Sequence, residues 1–251
     1  MRVEIGDNVM IGGFIIAGNA PKDVAVRGIG PSLVSSGISD VLADPILELR
    51  DGSGTLLFQN DNWQDDPTQS AQISASGLAL QDPLESGIAS TLAPGAYTAI
   101  LSGRSQTTGV GLVEIYNTSQ AAGLLGNIST RGFVQTGSNV MIGGFILGGS
   151  SGNARVAIRG IGPSLGQSGV SNFLADPTLQ LHDSSGTTLV SNDNWLDDSS
   201  SAAQLSANGL ALQSNLESGI FITLPPGAFT AILAGKNGGT GVGLVEVYNL
   251  Q

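Results

Sequence analysis

The sequence of 251 residues contains no cysteine and only one histidine. Without cysteine the chain has no disulfide bonds and no thiol chemistry, and its redox compartment cannot be read from cysteine usage. Basic residues are also scarce, because nine lysines and arginines stand against 20 acidic residues, for a net charge of −11. Proteins that bind nucleic acid need a positively charged surface to meet the phosphates, so we predict no nucleic-acid partner.

Long apolar runs are missing as well. No stretch approaches the roughly 18 apolar residues that a membrane-spanning helix requires, so we predict no membrane insertion. The first residues also do not read as a secretory signal peptide. They enter the repeat described below partway through, without a counterpart of residues 127–131. We therefore expect a piece of a longer exported chain, located outside the cell or on its surface.

The sequence consists of two copies of one repeat unit. Residues 139–149 repeat residues 8–18 almost letter for letter, and the residues that follow match to the C-terminus, apart from a short variable loop after each copy. Self-similarity at this period indicates two copies of one structural unit, each of about 125 residues. We predict two domains, residues 1–122 and residues 123–251, each long enough to bury its own core.

The composition favours strands over helices. The chain has 37 glycines and 10 prolines, only 12% charged residues, and 41% hydrophobic residues. Asp51-Gly-Ser-Gly predicts the turn of a β-hairpin, and the pair Gly12-Gly13 predicts a bulge or a close backbone approach within a buried strand. About eight short strands in each unit predict an all-β fold, with two tandem antiparallel β-sandwich (jelly-roll-like) domains from an internal duplication.

Each copy places one arginine in an otherwise apolar strand, Arg27 in the first and Arg159 in the second. An unpaired cation is costly to bury, so a carboxylate partner is expected. We predict structural ion pairs with Glu114 and Glu246, which lie in the apolar Gly-Leu-Val-Glu strand. Glu85 and Glu217 are alternative partners. A ligand-binding role for the two arginines is the competing interpretation.

A polar cluster with the pattern Asn-Asp-Asn-Trp-x-Asp-Asp stands in both copies. Its oxygen-bearing residues are Asn60, Asp61, Asn62, Asp65 and Asp66, and Asn192, Asp193, Asn194, Asp197 and Asp198. Several hard oxygen ligands within seven residues suit Ca²⁺, which is the candidate structural cofactor. The alternative is that the Asn and Asp side chains cap their own turns while the tryptophan packs at the edge of the core. Trp63 and Trp195, if exposed, are candidate ligand-binding residues for a sugar.

Catalysis has little support in the sequence. Arg50 replaces the only histidine, His182, in the other copy, so neither a Ser-His-Asp triad nor a histidine-ligated zinc site is indicated. Asp65 and Glu85 could in principle form an acid/base pair of the kind that hydrolyses glycosides. The same constellation occurring twice in one short chain is more typical of a binding module, so we predict no enzymatic activity.

The motifs resemble those of known bacterial domains. The run Asp-Pro-x-Leu-x-Leu-x-Asp, then Asn-Asp-Asn-Trp, then Leu-Pro-Pro-Gly-Ala-Phe-Thr-Ala-Ile-Leu resembles the bacterial pre-peptidase C-terminal domain. Asn-Ile-Ser-Thr-Arg-Gly, Val-Met-Ile-Gly-Gly-Phe and Ile-Gly-Pro-Ser-Leu are similar to tandem repeats of large secreted proteins of environmental bacteria. The resemblance implies a β-sandwich attached to exported proteins, which acts in surface attachment, substrate binding or secretion, sometimes with structural Ca²⁺.

Together these features predict a non-catalytic extracellular module for adhesion or carbohydrate binding. Its partner would be a surface polysaccharide or another extracellular protein. The alternative is self-association: a structural subunit that assembles into an extracellular fibre or sheath by strand complementation, as the incomplete first strand of the first copy suggests. A glycoside or ester hydrolase is the third hypothesis.

Overall fold

The computed structural model describes residues 1–119, 125–148 and 152–250. The protein is mostly β-structure arranged in antiparallel sheets, which confirms the all-β prediction at that level. The chain divides into two compact units, unit 1 (Met1–Ile128) and unit 2 (Ser129–Gln251). The predicted domain boundary, between residues 122 and 123, lies outside the described residues.

Unit 1 contains nine strands, one α-helix and three short 3-10 helices before the chain passes on to unit 2. In chain order the strands and the α-helix are β1 (Arg2–Val3), β2 (Met10–Ile16), β3 (Lys22–Ile29), β4 (Pro45–Asp51), β5 (Leu56–Asn60), α1 (Pro67–Ala75), β6 (Ser86–Leu92), β7 (Gly95–Gly103), β8 (Gly109–Val110) and β9 (Leu112–Asn117). The next strand, β10 (Leu125–Val134), begins in unit 1 and continues into unit 2.

Unit 2 follows with the same order of elements. They are β11 (Met141–Leu147), β12 (Ala154–Ile161), β13 (Pro177–Asp183), β14 (Thr188–Asn192), α2 (Ser199–Ala207), β15 (Ser218–Leu224), β16 (Gly227–Gly235) and β17 (Gly241–Asn249). None of the helices in the described part of the chain has the length and apolar character needed to cross a membrane.

Two antiparallel sheets form the body of unit 1. One has the strand order β2-β7-β4-β5, the other has the order β6-β3-β9, and β1 pairs with β8. Strand residues alternate between the two faces of a sheet, and the inward-facing ones make the core. Phe14 of β2, Val26 of β3, Leu49 of β4 and Leu101 of β7 share this core, so the two sheets pack face to face.

Unit 2 repeats the arrangement, with the orders β11-β16-β13-β14 and β15-β12-β17. The strand β10 is next to β17 in the sheet, where Val134 is fully buried and its Cγ2 atom is 3.1 Å from the point where a Cβ on Gly243 would stand. The strand next to β17 therefore extends this sheet on one side.

The predicted hairpin is confirmed, because β4 and β5 pair across the turn at Asp51, with a register shift between Leu49 and Arg50. The Asp51 carboxylate accepts hydrogen bonds from the backbone N–H groups of Ser53 and Thr55 and closes the turn. The pair Gly12-Gly13 makes no bulge, since β2 pairs with β7 in continuous register. A Cβ on Gly12 would stand 3.2 Å from Val113 of the opposite sheet, so the glycine is explained by close approach.

The two helices cover the outer faces of the sheets that contain β6 and β15. Asp66 precedes α1 and accepts hydrogen bonds from the N–H groups of Thr68 and Gln69, which caps the free donors of the first turn. Ile73 of α1 packs with Trp63 and Leu80 in a second apolar cluster. The polar loop before the helix is thereby held against the sheet.

Candidate functional site

The arginine of β3 is bound to the glutamate of the neighbouring strand. Arg27 and Glu114 stand opposite each other in the register of β3 and β9. The Nε atom of Arg27 donates to Oε2 of Glu114 at 2.8 Å, Nη2 donates to the same oxygen, and Nη1 donates to the carbonyl of Leu78 at 2.8 Å. The guanidinium carbon lies 5.7 Å from the ring centre of Tyr116, within the range of a cation–π contact.

Unit 2 contains the same arrangement. The Nε atom of Arg159 donates to Oε2 of Glu246 at 2.7 Å, and the guanidinium lies 5.6 Å from the ring centre of Tyr248. Burial of the phenol, together with the nearby charge of Glu246, raises the pKa of Tyr248 to about 12. Each arginine thus ties together two strands, the carbonyl that follows the helix and one aromatic ring.

Glu85 performs a different task from either role considered in the sequence analysis. It is 1% exposed, and Oε1 accepts hydrogen bonds from the N–H groups of Gly30 at 3.3 Å and Ser32 at 3.1 Å, and from the Ser32 hydroxyl. The second oxygen accepts from the N–H of Asp82 at 3.4 Å. The carboxylate therefore anchors the Ile-Gly-Pro-Ser turn to the start of β6, and Glu217 does the same in unit 2.

Most of the Asn-Asp-Asn-Trp-x-Asp-Asp cluster makes local hydrogen bonds. The Nδ2 of Asn60 donates to the carbonyl of Asn62 at 2.9 Å, while its Oδ1 accepts from the N–H of Gly87 at 2.8 Å. Asn62 donates to Asp65, and Asp66 caps α1. In unit 2 the corresponding contacts join Asn192 to Asn194, Asn192 to Gly219, Asn194 to Asp197, and Asp198 to the first turn of α2.

One carboxylate of each cluster joins a charged group that the sequence analysis did not identify. Asp61 accepts a hydrogen bond from Nη1 of Arg104, whose Nε lies 3.9 Å from Oδ2 of Asp44. Partial burial, with the nearby charge of Asp61, raises the pKa of Asp44, and Arg104 partly offsets this shift. Arg104 and Lys236 occupy aligned positions, and that shared cation was the available signal.

Lys236 has the corresponding place in unit 2. Its Nζ lies 2.5 Å from Oδ2 of Asp193 and 3.8 Å from Oδ2 of Asp176. The carboxylate of Asp193 and the surrounding acidic groups raise the pKa of this lysine. In both units a cation thus lies where two aspartates would otherwise repel each other.

Some oxygens of these regions have no hydrogen-bond partner, among them Oδ1 of Asp44 and Oδ1 of Asp61 in unit 1. Ca²⁺ requires six to eight oxygen ligands that converge on one point. The part of the chain that the structure describes contains no group of three or more acidic or histidine side chains placed to share an ion. Calcium binding by the two loops stays a prediction.

The two tryptophans lie in the interior of the protein. Trp63 is 7% exposed and packs with Ile73 and Leu80, and Trp195 is 8% exposed and packs with Leu205 and Leu212. Neither ring face is open to a sugar in this conformation. Their assignment as ligand-binding residues stays a prediction.

The clearest difference between the units is at β9. In unit 2 the equivalent strand, β17, is next to β10 in its sheet, and Val245 and Val247 are buried. Within the described part of unit 1, β9 is an edge strand of its sheet, and only β1 lies on that side, next to β8. Val113 and Ile115 are accordingly only half-buried, and Leu112 is 38% exposed.

A second difference is found at the other sheet. In unit 1 the strand β2 is next to β10 in its sheet, and a Cβ on Gly126 would stand 3.2 Å from the Cβ of Ala17. Among the described residues of unit 2, the equivalent strand β11 has a neighbour on one side only. Ile146 of β11 is 75% exposed, against 40% for its counterpart Ile15.

Comparison with known proteins adds little to this geometry. No protein-family model and no curated protein match the chain. Three solved structures that it resembles weakly are viral. The STIV MCP structure has a TM-score of 0.24 and 11% identity over 99% of this chain and 90% of that chain. An atomic structure of Sulfolobus Turreted Icosahedral Virus gives 0.25 and 11% over 99% and 88%.

The third is the infectious bursal disease virus VP2 subviral particle, with a TM-score of 0.20 and 10% identity over 99% of this chain and 70% of that chain. Because all three TM-scores are low, these likenesses establish neither a shared fold nor a shared function. The function has to be inferred from the chain's own edges and contacts.

Proposed function

We propose that the protein is a non-catalytic structural module of an extracellular assembly, built as two tandem β-sandwiches from an internal duplication, which associates by strand pairing at the edges formed by β5 and β14. The observation that supports this is that β5 in unit 1 and its counterpart β14 in unit 2 each stand at the end of a sheet in the described residues and carry exposed leucines, Leu56, Leu57 and Leu189. An edge strand presents a row of backbone donors and acceptors to any extended segment that can pair with it.

A second copy of the chain is the occupant that we propose for these edges. Each molecule has two such edges, β5 in unit 1 and β14 in unit 2. Pairing of β5 in one copy with β14 in the next joins two different surfaces. A contact between unlike surfaces does not close on itself as a two-fold dimer does, and it generates rings or fibres. This is the geometry of a fibre or sheath subunit.

The sheets that contain β3 and β12 end in β6 and β15. None of the exposed large apolar side chains of the described residues lies on β6 or β15, so these edges are less suited to pairing than β5 and β14. No contact in the described residues favours adhesion or carbohydrate binding over assembly, since both tryptophans are buried.

The test is the mass of the protein in solution as its concentration is raised, measured by size-exclusion chromatography with light scattering. We expect species larger than one chain to grow with concentration. Leu56→Lys places a charge on the β5 edge and should return the protein to one chain, because edge lysines oppose strand pairing. Leu84→Lys is the matched control, since Leu84 is equally exposed but lies outside the strands. A single chain at every concentration would overturn the proposal.

A further inference from the structure

Two asparagines of the chain are followed directly by glycine, Asn208 and Asn237. The side-chain amide of an asparagine is open to attack by the backbone nitrogen of the next residue, and glycine obstructs this attack least because it has no side chain. Both asparagines are exposed. The sequence pattern and the exposure are therefore alike at the two sites, and the local structure is what distinguishes them.

Asn208 is held at the end of α2. Its Nδ2 atom donates to the carbonyl of Gln204 at 2.8 Å, and its backbone N–H donates to the same carbonyl at 3.1 Å. The nitrogen that would attack belongs to Gly209, and its N–H donates to the carbonyl of Ser206 at 3.1 Å. Because these three bonds close the last turn of the helix, a reaction at Asn208 requires the helix end to open.

Asn237 lies in the turn between β16 and β17. Its side chain makes no hydrogen bond within the described part of the chain. Its backbone has a φ of 54° and a ψ of 29°, the left-handed conformation that residues other than glycine seldom adopt. The N–H of Gly239 donates to the carbonyl of Lys236 at 3.0 Å and closes the turn, but this bond does not hold the side-chain amide. The amide of Asn237 is therefore free to turn toward the backbone of Gly238.

We propose that Asn237 is a site of spontaneous deamidation, which converts it to aspartate and isoaspartate, and that the helix end protects Asn208. The nitrogen of Gly238 gives its proton to a base and forms a bond to Cγ of Asn237. The bond from Cγ to Nδ2 breaks, and the leaving nitrogen takes up a proton and departs as ammonia. Water then opens the cyclic imide: opening at Cγ gives aspartate, and opening at the backbone carbonyl gives isoaspartate. This inference is independent of the proposed assembly.

The modification would distinguish the two units. At the equivalent position of unit 1, Ser105 has the same backbone conformation, with a φ of 54° and a ψ of 31°, and serine has no amide to lose. The new carboxylate in unit 2 would follow Lys236, whose Nζ lies 2.5 Å from Asp193 and 3.8 Å from Asp176. The reaction therefore adds negative charge where one lysine already faces two aspartates.

The experiment is an incubation of the folded full chain in mildly alkaline buffer, with samples taken over time for digestion and tandem mass spectrometry. Chymotrypsin cleaves after leucine, so the two asparagines fall into separate peptides, residues 206–210 and residues 234–244. We expect Asn237 to be converted at least about tenfold faster than Asn208, because the hydrogen bonds at Asn208 must first be broken. Isoaspartyl methyltransferase should label the peptide of residues 234–244.

Unfolding the chain and replacing each asparagine provide the controls. In urea the two asparagines should react at comparable rates, because the helix end no longer protects Asn208. Asn237→Ser introduces the residue that Ser105 supplies in the same conformation of unit 1, so this variant should fold and should lose the fast product. Asn208→Ser should leave that product unchanged. Comparable rates in the folded protein, or protection of both asparagines while the unfolded chain reacts, would overturn the inference.

Discussion

Arg27 and Glu114 face each other across β3 and β9, with Nε of the arginine and Oε2 of the glutamate 2.8 Å apart. In the described part of unit 1, β9 is the last strand of its sheet. The equivalent pair, Arg159 and Glu246, joins β12 to β17, which has a further strand on its other side. The same ion pair therefore fastens an outer strand in unit 1 and an inner strand in unit 2.

Replacing Arg27 by methionine should lower the free energy of unfolding of unit 1. The change leaves Glu114 and the carbonyl of Leu78 without their donor in a partly buried setting, which costs about 1–3 kcal/mol. Chemical denaturation followed by tryptophan fluorescence measures the loss. Adding Glu114→Gln to Arg27→Met should recover part of the lost stability, because the unpaired carboxylate of Glu114 is then replaced by a neutral amide. Full stability of the single variant would show that the pair contributes nothing to the fold.

Replacing Asp44 by asparagine should raise the thermal midpoint at neutral pH. The pKa of Asp44 is raised in the folded protein, mainly because the carboxyl is withdrawn from water and also because Asp61 is near. Such a group favours folding below its unfolded pKa, and that contribution is lost as the pH rises through the folded pKa. The gain from Asp44→Asn should therefore vanish at a pH below the ordinary value of 3.8.

Asp51 is the control for this pH experiment, because its pKa is shifted in the opposite direction from that of Asp44. Hydrogen bonds from Ser53 and Thr55 lower the pKa of its carboxyl. Its contribution to stability is present above the unfolded pKa and is lost as the pH falls through the folded pKa. Asp51→Asn should therefore lower the midpoint at neutral pH and have no effect in strong acid. If both variants gave the same dependence of the thermal midpoint on pH, the opposite pKa shifts of Asp44 and Asp51 would be contradicted.

Calcium should leave the thermal midpoint unchanged if the Asn-Asp-Asn-Trp-x-Asp-Asp loops are turns. A ligand that binds only the folded state must raise the midpoint. The side chains of Asn60 and Asp66 are engaged with backbone N–H groups, and Asp61 is engaged with Arg104. Scanning calorimetry with excess Ca²⁺ and after chelation measures the difference. A rise that Asp65→Asn with Asp197→Asn abolishes would instead establish the loops as metal sites.

The sequence alone established several features of this protein. Its internal repetition indicated two units, and its glycine-punctuated apolar runs indicated an all-β fold, because strand alternation and turn chemistry are local properties of the chain. It also singled out Arg27 and Glu114 as partners, since a cation in an apolar strand needs an anion nearby. The hairpin at Asp51 could be predicted for the same reason, as its turn is closed by its own side chains.

Only the tertiary structure decided the rest, because it depends on which segments meet. Glu85 was a candidate partner for Arg27 or for Asp65, and the fold places it under the Gly30 turn, 55 residues away in sequence. The burial of Trp63 follows from the packing of α1, whose position no local pattern specifies.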